Sequence, residues 1–326
     1  MNCLPMFEPI RSDLGTVEER MLAAVGEAEE PLSSALAAIL SSGGKRLRPA
    51  LVILSARLFQ WDPEPVTNLA AAVEMLHTAT LIHDDTIDEA TMRRGHKTLN
   101  ATWTRSATIL AGDYLFARAA ALAANTSSTH VALIFAQTLL TICQGELRQM
   151  LSLFDWRGSR EGYYQRIYAK TASLFASACE GGATLAHAPE DQARALKDCG
   201  RCLGMAFQIV DDILDFAGDE QRLGKPVGSD LRQGIATLPV YYYLQNGGQE
   251  ALVEAALDRC AGEQDTRDRA IGELVAAVEA SGAIASCRQE AQSFVRHAVE
   301  TLAPLPDSPY RRALCELAAF VVSRDV

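Results

Sequence analysis

The chain has no G-x-S-x-G elbow, no Walker loop and no G-x-G-x-x-G turn. It therefore offers neither a hydrolase nucleophile nor the glycine cradles that seat nucleotides. Positive charge is in deficit: 30 Lys and Arg against 41 Asp and Glu leave a formal net charge of −11. That balance excludes a broad basic face for nucleic acid, though an anionic substrate remains open where cations gather locally. Cysteine is thinly spread over Cys3, Cys143, Cys179, Cys199, Cys202, Cys260, Cys287 and Cys315, which argues against a disulfide framework. Cys199 and Cys202 form one CxxC with no second pair or nearby histidines, so they read as small core residues and not as a zinc site. The opening MNCLPMFEPI lacks a basic start followed by an apolar stretch, so no secretory leader is expected. No apolar run reaches the roughly 20 residues of a membrane span. The expectation is a cytoplasmic protein without stable membrane insertion.

What the chain does have is a 48% hydrophobic share with plentiful Ala and Leu, and no dominance of Val, Ile and Thr. This favours a folded, helical protein. Apolar-rich helical stretches are expected at about 69–90, 106–124, 130–153 and 193–216, several apolar nearly all round, as in helices buried in a bundle. Ser308 caps and Pro309 opens a last helix with Tyr310, Ala313, Leu314, Leu317 and Val321 on one face. Breakers are expected at Asp62–Pro65, Trp156–Ser159, Asn246–Gly248 and Pro304–Pro309; each is too short for an interdomain linker. No alternating run supports a sheet. The predicted fold is all-α: one domain over residues 1–326, a large bundle of ten or more helices.

An internal echo carries the chemistry. Leu81–Asp88 (LIHDDTID) and Gln208–Asp215 (QIVDDILD) both end in DDxxD after an apolar helical approach. On a helix, Asp84 and Asp88 share a face and Asp85 lies about 100° round the axis. Three carboxylates on a mostly apolar helix are costly without a counter-charge. A hard divalent cation suits them, and magnesium commonly bridges one or two carboxylates to substrate phosphates. Asp211, Asp212 and Asp215 repeat the pattern, which reads as two facing sites in one bundle. Cations gather in GGKRLRP (43–49) and at Arg93-Arg94-Gly95. Arginine takes phosphate through paired hydrogen bonds, and lysine adds a compact charge. Together the clusters suggest two anionic groups, one held through metal and one held by protein cations.

GGKRLRP, LIHDDTIDEATMRRG, YAKTASLF, FQIVDDILDFAGD and LGKPVGSDLRQGIATLP, in this order between about residues 43 and 240, resemble the motif set of the trans-isoprenyl diphosphate synthases. The resemblance implies the isoprenoid-synthase helical fold. It also implies condensation of an allylic diphosphate with isopentenyl diphosphate, repeated to give an all-trans polyprenyl diphosphate. Asp84 and Asp88, with Asp85 nearby, would hold magnesium on the allylic diphosphate, and Asp211 would bind magnesium from the opposite wall with Asp212 and Asp215 in support. About three ions are implied. Lys45, Arg48, His77 and Arg94 would hold isopentenyl diphosphate. Arg93, Lys170, Thr171, Gln208 and Lys225 would contact the allylic diphosphate or its surroundings. The departing diphosphate would accept the proton, which fits the want of a side-chain base. One departure stands out: many relatives carry lysine where this chain has Ile235.

In that family, bulk just before the first acidic motif limits the product. Ala79 and Thr80 are small and are expected to leave the pocket open, giving a product longer than twenty carbons, roughly thirty to fifty; the floor is expected from Leu110, Leu115, Phe116 or Leu122. A geranylgeranyl diphosphate synthase and the catalytic subunit of a two-component synthase are the alternatives. A terpene cyclase would not need GGKRLRP. A di-iron bundle would need a second ExxH besides Glu74–His77. A homodimer is expected by resemblance, with a heteromeric partner as the alternative. His83 either orients Asp84 or packs as an ordinary helical histidine.

Overall fold

Asp62 accepts a hydrogen bond from the Glu64 amide at 3.2 Å, and Pro63 takes the first helical position, where no donor is needed. These two residues start a helix over Pro63–Ile87. The breaker expected at Asp62–Pro65 is therefore a helix start. Both prolines fall in the first turn, where a missing N–H breaks no hydrogen bond, so the segment opens a helix instead.

The computed structural model describes residues 4–93, 95–217, 226–258 and 264–324. The fold is all-α. Its helices run Arg11–Gly26, Leu32–Ser41, Leu47–Ala56, Pro63–Ile87, Arg105–Ala124, Thr129–Leu151, Arg160–Ile167, Ser173–Leu185, Glu190–Ala217, Ser229–Arg232, Leu238–Gln245, Glu250–Ala256, Gln264–Ala280, Ala283–Leu302 and Pro309–Ser323. Among the described residues, strand pairing is confined to Met92–Arg93 against His96–Lys97. Ser308 accepts from the Arg311 amide at 3.1 Å, so the last helix starts where the sequence placed it. Ser159, read as part of a breaker, caps the Arg160–Ile167 helix through the Gly162 amide at 3.1 Å.

The chain clusters into two compact units. One comprises Met1–Leu139, Leu174–Gly200 and Thr301–Leu317; the other comprises Leu140–Ser173, Arg201–Glu300 and Ala318–Val326. In the first, the Pro63–Ile87 helix packs along Arg105–Ala124 and against Arg11–Gly26 and Leu47–Ala56. Leu69, Ala70, Ala71, Ala72, Val73, Met75 and Leu76 are all buried, so this helix is enclosed on every side over two turns. Cys179 and Cys199 are buried here, free of any disulfide. In the second unit, Phe216, Leu231, Val240, Tyr243, Val253, Ile271, Leu274 and Val278 form one apolar core, into which Trp156 also packs. Cys202 is buried in this unit, so the CxxC pair packs as small apolar side chains.

Two helices, Arg105–Ala124 and Thr129–Leu151, are long and apolar enough to span a membrane by length and mean hydropathy. Neither is an unbroken apolar run: Asp113 and Arg118 interrupt the first, and Glu146 and Arg148 the second. Those charges are used within the fold. Arg118 pairs with Glu27 at 2.7 Å and Glu146 with Lys170 at 3.2 Å. Burying such pairs in lipid would be expensive. The Thr129–Leu151 helix also leaves Leu133, Leu140 and Leu147 exposed at intervals of seven.

Candidate active site

In the first unit, the GGKRLRP segment turns sharply. Gly43 has φ +92°, which glycine adopts freely, and Arg46 has φ +49°. Arg46 is buried. It donates to Glu74 at 3.0 Å and Glu18 at 3.1 Å, and also to the Leu40 carbonyl. The middle cation of the motif is therefore the anchor of its own loop, and Glu74 is committed to it, which removes the ExxH reading of Glu74 and His77. Lys45 is exposed and Arg48 half-buried, the Arg48 guanidinium lying 5.0 Å from the centre of the Phe175 ring. His77 is half-buried, and its carbonyl accepts from the Thr80 hydroxyl at 2.7 Å.

The first acidic cluster sits at the end of the Pro63–Ile87 helix, and its three carboxylates differ. Asp84 is half-buried and Asp88 exposed, whereas Asp85 is buried. Arg93 donates from Nε to both Asp85 oxygens, at 2.8 and 3.0 Å. Burial raises the Asp85 carboxyl, Arg93 opposes that rise and Asp88 adds to it. The short pairing of Arg93 with His96, turning at Gly95 (φ +79°), holds Arg93 beside Asp85. Arg94 lies outside the described residues. His83 meets the Arg105–Ala124 helix: its Nε2 lies 3.1 Å from the Ile109 carbonyl and 3.5 Å from Asp113, and its ring meets Phe116 edge-on at 5.1 Å. A β-carbon at Gly112 would overlap the His83 ring, so that glycine makes its room.

Ala79 is completely buried, while Thr80 keeps some accessible surface. Helical geometry accounts for the difference. Thr80 lies about 40° round the axis from Asp84, but Ala79 lies about 140° away. Among the candidates for a pocket floor, Leu110 is 65% exposed, Leu115 and Leu122 are buried and Phe116 is half-buried against His83.

In the second unit, Asp211 is 39% exposed. Asp212 is buried, accepting from the Tyr163 hydroxyl at 2.7 Å and from the Gln208 amide at 2.9 Å. Burial pushes its carboxyl up to about 7, with Asp230 adding to the rise and the two donors opposing it. Burial, with Asp212 close by, also holds the Tyr163 phenol well above its ordinary range, so it stays a donor. Asp215 is buried. Its Oδ2 accepts from the Asp230 amide at 3.0 Å and its carbonyl from the Gly228 amide at 2.7 Å. It thereby fastens the start of the Ser229–Arg232 helix, where Gly228 takes φ +73°. Lys225 lies outside the described residues. Ile235 is half-buried.

Tyr168–Ala172 leaves the α-helical ladder for a π-helical turn, a feature often found at functional sites and one that no hydrophobic period signals. It carries Lys170, paired with Glu146 at 3.2 Å, and Thr171, whose hydroxyl donates to Gln208 at 2.6 Å. Thr171, Gln208, Asp212 and Tyr163 thus form one continuous hydrogen-bonded chain. Gly145 on the Thr129–Leu151 helix admits this wider turn, because a β-carbon there would overlap that of Ala169. Gly145→Ala is expected to lower stability by about 1–3 kcal/mol through overpacking, and to lower turnover by shifting Lys170 and Thr171. Thermal melts and steady-state assays of the variant check this; wild-type values in both would remove the constraint.

Sequence reasoning missed Tyr163, the anchoring role of Arg46, and Arg324, which pairs with Asp211 at 3.0 Å. Arg46 was visible inside a motif, but three adjacent cations give no hint of which one turns inward. Tyr163 and Arg324 are distant in sequence from the aspartates they meet. Among the described residues, no group of three or more His, Cys, Asp or Glu side chains forms a metal site by itself. Asp84, Asp88 and Asp211, the members of the two acidic motifs that keep accessible surface, offer hard oxygen donors suited to magnesium or calcium shared with other oxygen ligands.

A family profile described as Polyprenyl synthetase matches residues 29–277. The chain is 38% identical over 325 residues to Heptaprenyl diphosphate synthase component 2 of Geobacillus stearothermophilus, covering 100% of both. It is 38% identical over 287 residues to Octaprenyl diphosphate synthase of Escherichia coli strain K12, covering 88% of each. Among solved structures, a polyprenyl synthase from Caulobacter crescentus CB15, complexed with calcium and isoprenyl diphosphate, superposes with a TM-score of 0.89. That protein is 37% identical, and the match covers 98% of this chain and 97% of the other.

Proposed function

The chain belongs to the polyprenyl synthetase family, and from that premise we propose that it is a magnesium-dependent trans-prenyltransferase. It condenses an allylic diphosphate with isopentenyl diphosphate, repeatedly, and releases diphosphate. The carrying observation is the sorting of its six aspartates. Asp85, Asp212 and Asp215 are buried on protein donors, while Asp84, Asp88 and Asp211 retain accessible surface. Carboxylates kept open in this way fit a hard cation that brings phosphate ligands of its own.

In this reading Asp84, Asp88 and Asp211 hold magnesium, which when bound offsets the charge that develops on the departing diphosphate. Asp85 fixes Arg93 beside the allylic diphosphate, and the Thr171–Gln208–Asp212–Tyr163 chain positions the second acidic motif. Lys170, and Lys225 from outside the described residues, add positive charge there. Lys45, Arg48, His77 and Arg94 hold isopentenyl diphosphate; the allylic C–O bond breaks first, and the isopentenyl double bond then attacks the delocalised allylic cation. A proton is then lost to the departing diphosphate. Ile235 leaves one cation fewer over that group than many relatives have.

The names of the relatives, heptaprenyl and octaprenyl diphosphate synthases, favour a product longer than twenty carbons. The protein is read as a cytoplasmic homodimer. In such a dimer, covering the exposed Leu133, Leu140 and Leu147 would remove apolar surface from water. The relative named component 2 supports a second reading, a subunit that needs a partner. Purified chain, magnesium, an allylic primer and labelled isopentenyl diphosphate separate the two. Incorporation by the chain alone is expected. Incorporation only after a second protein is added would establish the two-component reading, and none under either condition would remove the activity.

A further inference from the structure

Arg324, the last described residue, spends its side chain inside the second unit. Nη1 meets Asp211 Oδ1 at 3.0 Å, Nη2 donates to the Phe207 carbonyl at 3.0 Å and Nε donates to the Val321 carbonyl at 3.2 Å. The guanidinium carbon lies 3.8 Å from the centre of the Phe207 ring. Its side chain is 9% exposed. Three of these four contacts do not involve Asp211, so the cation is held in place even if the carboxylate turns to another ligand. Asp211 is also the most accessible carboxylate of the second acidic motif.

A fixed arginine at this distance neutralises the carboxylate and repels a bare divalent cation, and partial burial keeps salt from screening the effect. A metal that arrives with a diphosphate meets the opposite field, because the anion is attracted to the same guanidinium. We infer that Arg324 gates metal loading: it keeps Asp211 neutralised so that a divalent cation binds there together with diphosphate and not before it. The inference rests on the function proposed above. Arg324 acts here through Asp211, as a positioning residue.

The test is manganese binding to the full chain, followed by the loss of the free Mn(II) electron paramagnetic resonance signal, with and without inorganic diphosphate. Wild type, R324Q, R324M and D211N are compared. R324M keeps an apolar stem over Phe207 and serves if R324Q does not fold. With manganese alone, removal of the guanidinium is expected to tighten binding about tenfold. With diphosphate present the gain shrinks or reverses, and combining D211N with R324Q abolishes it. Unchanged or weaker binding of manganese alone by the folded variants overturns the gate. So does failure of both variants to fold, which would make Arg324 a structural anchor. If wild type binds no manganese even with diphosphate, the proposed function falls and the gate with it. If wild type binds under that condition and R324Q gains nothing, only the gate falls.

Discussion

Asp84→Asn and Asp211→Asn are each expected to lower turnover by about a hundredfold to a thousandfold, the scale seen when one preorganised group that stabilises developing charge is removed. Asparagine keeps the shape and one carbonyl oxygen but loses the negative charge that a magnesium ion needs. Asp84 is half-buried and its change opens no cavity, so its melting temperature should stay near wild type, whereas Asp211→Asn removes the charge that faces the nearly buried Arg324 and is expected to lower the melting temperature modestly, the other contacts of Arg324 remaining. Asp212→Asn is the contrasting case. Asp212 is buried between the Tyr163 hydroxyl and the Gln208 amide, so an asparagine there presents a donor to a donor and lowers stability as well as rate. Labelled isopentenyl diphosphate incorporation, read beside thermal melts, separates the two kinds of aspartate. Wild-type turnover in Asp84→Asn would end the metal-binding reading of the first cluster.

That distinction was only half legible in the sequence. Spacing places Asp84 and Asp88 on one helical face and Asp85 off it, so the outward and inward members of the first cluster follow from 3.6 residues per turn. What Asp85 meets does not follow, because Arg93 reaches it through a two-residue pairing too short to leave an alternating pattern. The second cluster repeats the spacing but not the exposure: Asp215, four residues after Asp211, is buried as Asp212 is, and Asp212 is satisfied by Tyr163, 49 residues away. Long-range partners of this kind are set by helix packing, which periodicity does not encode. The π-helical turn at Tyr168–Ala172 is likewise invisible to a period count. Its only trace is Gly145, and a lone glycine in a helical pattern has several readings. The all-α class was readable because it depends on composition and period alone. Asp62–Pro65 was misread because proline punctuates a helix at both ends, and only the Asp62 cap shows which end this is.

Product length gives the sharpest test of the first unit. Ala79→Phe is expected to shift the main product to farnesyl or geranylgeranyl length, visible by chromatography of the dephosphorylated alcohols. Ala79 is fully enclosed on the Pro63–Ile87 helix, about 7.5 Å along the axis from Asp84. A benzyl group has no room where the methyl now packs, so the ring must displace neighbours or enter whatever space the growing chain uses. The first course costs about 1–3 kcal/mol and lowers the melting temperature; the second shortens the product. Thr80→Phe isolates the second course, since Thr80 lies on the Asp84 side of the helix and already has accessible surface. Its product should shorten with little change in stability. A rate loss in Ala79→Phe without any change in product distribution would mean that the ring only strained the core, and that the wall limiting chain growth lies on another helix.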